Sequence, residues 1–95
     1  MINTEDIETS RALLEQGRIE DAIKKLEELT NDESDELKDV AYYLLGNAYR
    51  RGNNWKDAIN NYTRAIELNP DSPAVALRKN CIEILNFYNT DMYNH

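Results

Sequence analysis

Apolar residues recur along this chain with a period between three and four, broken by short polar turns, and nowhere alternate as a strand would require. Tyr42, Leu45, Gly46 and Tyr49 stand at i, i+3, i+4 and i+7, one face of a helix. Ala58, Tyr62, Ala65 and Ile66 repeat that spacing on a second. Between them lies Gly52-Asn53-Asn54, whose Gly and Asn both tolerate positive φ. So short a turn makes the two helices antiparallel neighbours. The small residues Gly46 and Ala58 let the backbones approach, and Tyr and Leu fill the space to either side. Asn69-Pro70 ends the second helix, since a residue before proline is pushed out of the helical region.

The flanking segments follow the same grammar. Asn3 or Thr4 caps a first helix with Glu5, Asp6 and Glu8 in its opening turn, where negative charge suits the helix dipole. Gly17-Arg18 turns the chain into a second helix bearing Ile19, Ala22, Ile23, Leu26 and Leu29, with Glu20–Lys24 and Asp21–Lys25 spaced for i,i+4 pairs. Asp71-Ser72-Pro73 starts a last helix, with Ser as cap and Pro at the first helical position. Leu77, Cys81, Ile84, Leu85 and Tyr88 form its main apolar stripe, and Val75 and Ile82 a narrower second one. The pattern predicts an all-α fold of five helices, near residues 4–16, 19–30, 34–51, 54–68 and 73–88. Its expected core holds Ile23, Leu26, Leu45, Gly46, Tyr49, Ala58, Tyr62, Ala65, Ile66, Leu77 and Cys81.

The run Tyr42-x2-Leu45-Gly46-x2-Tyr49, Ala58-x3-Tyr62-x2-Ala65, Pro70 resembles the tetratricopeptide repeat, two antiparallel helices in about 34 residues. Tyr42 stands where that family usually has Trp, and Tyr62 where it has Phe. Ala22, Leu26 and Leu29 match Ala58, Tyr62 and Ala65 at an offset of 36 residues. The resemblance implies one domain over residues 1–95: a degenerate repeat at about 3–36, a well-matched repeat at 39–72, a covering helix at about 73–88 and a tail at 89–95. Such arrays need a terminal helix because each repeat exposes an apolar face to its successor.

Charge and chemistry narrow the function. The net charge of −7 is uneven: residues 1–39 carry 13 acids and 5 bases, residues 40–95 carry 5 acids and 6 bases. An acidic first half argues against nucleic acid, which rewards a basic patch. Asp32, Asp35 and Asp39 share a face, but the Gly-centred turn and alternating oxygen ligands of a calcium loop are missing. No run of 18 apolar residues is present, so no membrane span is expected, and the start lacks a signal-peptide pattern. A cytoplasmic location follows as the expectation. His95 is the last residue, and Cys81 falls in an apolar stripe, so neither builds a nucleophile and base. With no phosphate loop and no Cys/His metal spacing, the chain reads as a non-enzyme without cofactor.

The family resemblance implies a protein-binding module whose concave face is lined by the first helix of each repeat. Carried onto this chain, that face holds Val40, Tyr43, Leu44, Asn47, Arg50 and Arg51, flanked by Arg11 and Arg78. The expected binding residues are Tyr43, Asn47, Arg50, Arg78 and Arg11. Their arginines favour an extended peptide or protein segment bearing carboxylates. The alternative reading is a self-associating scaffold, a homodimer built on the last helix, with Val75, Ile82 and Phe87 outside the covered stripe.

Overall fold

The computed structural model describes residues 2–34 and 36–93, with side chains as far as Tyr88. Five helices follow in order: α1 Thr4–Glu15, α2 Ile19–Thr30, α3 Lys38–Arg51, α4 Trp55–Leu68 and α5 Ala74–Tyr93, with no strand among the described residues. Each packs on its chain neighbour, and α3 also touches α1 and α5. The odd-numbered helices therefore form one layer and the even-numbered ones the other.

Asn3 caps α1 through a capping box: the Asp6 N–H donates to Asn3 Oδ1 at 2.9 Å, and the Asn3 N–H donates to Asp6 Oδ2 at 3.3 Å. Ile2 and Ile7 flank that cap at the two positions of a hydrophobic staple, and both are buried. Asn54 caps α4 without a capping box: the Asp57 N–H donates to Asn54 Oδ1 at 3.3 Å, and the Asn54 side-chain amide donates to Asp57 Oδ2 at 2.7 Å.

The two helix pairs are built alike, bond for bond. At the first turn Gly17 N–H donates to Leu14 O at 3.0 Å and Arg18 N–H to Leu13 O at 2.9 Å. At the second, 36 residues on, Asn53 N–H donates to Arg50 O at 3.0 Å and Asn54 N–H to Tyr49 O at 2.9 Å. The left-handed residue of each turn is Gly17 (φ +77°) and Asn53 (φ +61°). Gly52, at φ −86°, is not the one that needs it.

Two apolar clusters fill the molecule. One joins α1, α2 and α3 around Leu14, Leu26, Leu29, Leu44 and Leu45. The other joins α4 and α5 around Ala58, Tyr62, Ala65, Ala74 and Cys81. Tyr42, Tyr43 and Tyr49 of α3 pack against both, so α3 welds the halves. Trp55 packs against the second cluster beneath its turn. Of the expected core, Ile23, Tyr49, Ile66 and Leu77 prove half-buried rather than fully buried, because they sit at the rims between helices.

Several expectations are corrected. Helix three starts at Lys38, not near Ser34, because Asp32 and Ser34 trap the chain in turns. The Ser34 N–H donates to Asp32 Oδ1 at 2.8 Å, the Glu36 N–H donates to Ser34 Oγ at 3.2 Å, and Leu37 then takes φ +62°. Helix five runs to Tyr93 rather than Tyr88, since no Gly or Pro follows Tyr88 to stop it. Tyr88 leaves the apolar stripe: it is exposed and meets Phe87 edge-on at 5.8 Å. Asp21 pairs with Arg18 at 2.7 Å and Lys25 with Asp6 of α1 at 3.4 Å, where i,i+4 pairs within α2 were expected.

The α3–α4 crossing is set by Gly46. A Cβ there would lie 2.4 Å from two ring carbons of the fully buried Tyr62. In the first pair the matching positions hold Ser10 and Leu26, both fully buried, a larger residue facing a smaller one. Gly46→Ala should lower stability by up to about 2 kcal/mol, overpacking of about 1–3 kcal/mol set against the roughly 1 kcal/mol helix gain of Ala over Gly. The double variant Gly46→Ser with Tyr62→Leu copies the first pair and should be more stable in urea than the sum of its singles by about 1 kcal/mol. Additive singles would place the tight contact elsewhere.

The turns give a second test. Gly17→Ala should destabilise by about 1 kcal/mol, and Asn53→Gly should be neutral or slightly stabilising. Equal thermal shifts for both would contradict the shared left-handed turn.

Candidate functional site

Along α3, the residues Ala41, Leu44, Leu45, Gly46 and Ala48 are buried, and Val40, Tyr43, Asn47 and Arg50 form a half-buried stripe at i, i+3, i+7 and i+10. Leu44, expected on that surface, belongs instead to the core, at 2% exposure. Arg51 also leaves it: its guanidinium donates to Leu14 O, satisfying a carbonyl at the C-terminus of α1.

The stripe is anchored from beneath by Tyr62. The Tyr62 hydroxyl donates to Asn47 Oδ1 at 2.5 Å, and its ring lies 6.3 Å from that of Tyr43. Fixing the Asn47 carbonyl oxygen leaves the Asn47 amide NH2 as a donor with no partner among the described residues. Arg50 sits beside both Tyr62 and Cys81, and its Nε is buried without a hydrogen-bond partner. Burial pushes the Tyr62 hydroxyl up to about 12, against an opposing pull from the Arg50 guanidinium. Burial likewise raises the Cys81 thiol, again with Arg50 pulling the other way. A neutral thiol 0% exposed is a packing residue.

The expected binding residues are thus placed unevenly. Tyr43, Asn47 and Arg50 come together on one stripe. Arg11 matches Asn47 one repeat earlier but is exposed and pairs with Glu8 of its own helix at 3.7 Å. Arg78 reaches α4, where its Nε donates to Thr63 Oγ1 at 2.8 Å. Tyr62 is the participant that sequence reasoning assigned only to the core; its hydroxyl, in place of the family's usual Phe, was the available signal.

No group of three potential metal ligands occurs among the described residues; Asp35 and His95 lie outside them. No helix among the described residues is long and apolar enough to cross a membrane.

Comparison with known proteins places these features. A family model described as tetratricopeptide repeat matches residues 40–72. The chain is similar to Bacteroides fragilis protein BF1650, solved by solution NMR: 55% identical, covering 93% of this chain and 88% of that one, with a TM-score of 0.79. No curated protein matches.

The link between Tyr62 and Asn47 has a pH signature. With a folded value near 12 against about 10 unfolded, Tyr62 contributes stability fully present below pH 10 and lost as pH rises towards 12. Wild type should therefore lose stability across that window more steeply than Tyr62→Phe, by about 2 kcal/mol in chemical denaturation. Parallel profiles would mean that the hydroxyl is not held in its neutral form.

Proposed function

The chain belongs to the tetratricopeptide repeat family, whose repeats generally mediate protein–protein interactions and are generally non-catalytic, and from that premise we propose that it binds an extended peptide or partner segment along the α3 stripe of Tyr43, Asn47 and Arg50. The observation that carries this reading is the pre-set donor pair. Tyr62 orients Asn47 so that its NH2 is left to donate, and Arg50 holds a buried Nε with no acceptor. The Asn47 NH2 lacks an acceptor that a ligand could supply, and a ligand carboxylate would meet Arg50 at its terminal nitrogens, since its Nε is buried. A backbone carbonyl suits Asn47 and a carboxylate suits Arg50, whose planar guanidinium bonds carboxylates in a charge-assisted, bidentate manner. The half-buried ring of Tyr43 supplies apolar contact beside them. Arg11, exposed on the neighbouring first helix, adds a flanking cation, which favours acidic segments. The Thr63 bond holds Arg78 against α4, so it takes no part in this reading.

The test is a peptide array of extended acidic and neutral segments, screened with wild type, Asn47→Ala, and Asn47→Ala with Arg50→Gln. Each variant's melting transition serves as the folding control. Acidic peptides should bind wild type, bind Asn47→Ala about tenfold more weakly, and be lost from the double variant. Full retention by a folded double variant would move the binding surface off α3.

A further inference from the structure

Helix α5 is covered on one side only. Its Ala74, Leu77 and Cys81 pack against α4, as Ala41, Leu44 and Ala48 of α3, 33 residues earlier, pack against α1 and α2. The same offset sends Tyr42, Leu45, Gly46 and Tyr49 to Val75, Arg78, Lys79 and Ile82. On α3 that face carries α4: Tyr42 meets Arg64 at 5.3 Å, and Gly46 meets the Tyr62 ring. On α5 no helix covers it among the described residues, and only Arg78 reaches back, its Nε donating to Thr63 Oγ1 of α4 at 2.8 Å. Val75, Arg78, Lys79, Ile82 and Glu83 there line an open depression in which the two cations outnumber the single acid, and Val75 is 49% exposed.

The chemistry of this face specifies what fits it. Val75 and Ile82, two turns apart, are the apolar contacts of a helix-sized groove. Lys79 replaces the glycine of the crossing, so an incoming helix cannot approach as α4 approaches α3. It must cross at the wide end of the 8–10 Å range, over the Lys79 stem. Lys79 then lies at the centre of the contact with Arg78 beside it, tied by its Nε to Thr63 of α4, and neither is ion-paired with a carboxylate among the described residues. Covering two cations is favourable only if the occupant brings acids to them.

We propose that this face docks an amphipathic helix of a partner protein, with Glu or Asp at its centre between apolar positions, on the side of α5 that corresponds to the α4-bearing side of α3 but at a wider separation. A second copy of the chain fits less well. The apolar residues Ile7 and Leu14 of its acidic α1 are already buried, leaving no stripe for Val75 and Ile82. Two α5 helices face to face would gather four cations against two Glu83 carboxylates.

The experiment uses the full chain, isotope-labelled, titrated with two stapled 14-residue helical peptides. Both carry Leu and Ala on one face; one has two Glu at the centre of that face and the other has two Lys. Amide shifts over residues 75–83 are expected with the Glu peptide, with binding about tenfold weaker for Lys79→Glu, which should instead prefer the Lys peptide. Lys79 is exposed, so the variant should keep its melting transition. Equal affinity for the two peptides, or shifts confined to Tyr43 and Asn47, overturns the proposal. So does a wild-type dimer in sedimentation that Ile82→Asp dissociates, which would make a second copy the occupant.

Discussion

Everything in this molecule turns on the contact between the Tyr62 ring and the bare backbone at Gly46. With a Cβ position only 2.4 Å from the ring, any residue but glycine would push α4 off α3. That would uncover Ala58 and Ala65, both fully buried in the present packing. The same ring passes its hydroxyl through to the other side of α3, where it holds Asn47. A core contact and a surface donor are thus one object. The cost of burying a phenol is offset by its hydrogen bond.

The first helix pair shows how far the solution can drift while keeping its geometry. Ser10 with Leu26 stands where Gly46 with Tyr62 stands in the second. Ser10 ties its hydroxyl back to Asp6 O at 3.0 Å, so a buried polar group is satisfied within its own helix. What cannot drift is the turn. Both pairs use one left-handed residue and the same two backbone bonds, because those fix the angle at which the second helix returns. Sequence similarity between the pairs is weak where side chains compensate one another and strong where the backbone has no alternative.

That distinction explains what the sequence revealed. The five helices, the antiparallel pairing and the Gly46 crossing follow from period and residue size, which are local properties. The onset of α3 did not, because acidic residues at 32–36 look like a helix N-terminus, while Asp32 and Ser34 spend their oxygens on turns. Nor did the fates of the arginines. Arg50 and Arg51 are adjacent, yet one faces Tyr62 and Cys81 and the other caps α1. Arg78 was expected to flank the concave face. Its partner, Thr63, lies on a different helix, and no spacing rule within α5 identifies it.

The distribution of charge then acquires a structural meaning. The acids concentrated before residue 40 sit on α1, α2, the turns after them and the first turn of α3, mostly exposed, where solvent screens them. The arginines later in the chain sit at helix junctions, bonded on one side and open on another. A cation held by the fold, with one donor left over, has already surrendered most of its side-chain entropy before any ligand arrives. On a small scaffold with a net charge of −7, the long-range field repels anions while each fixed cation attracts them only at short range.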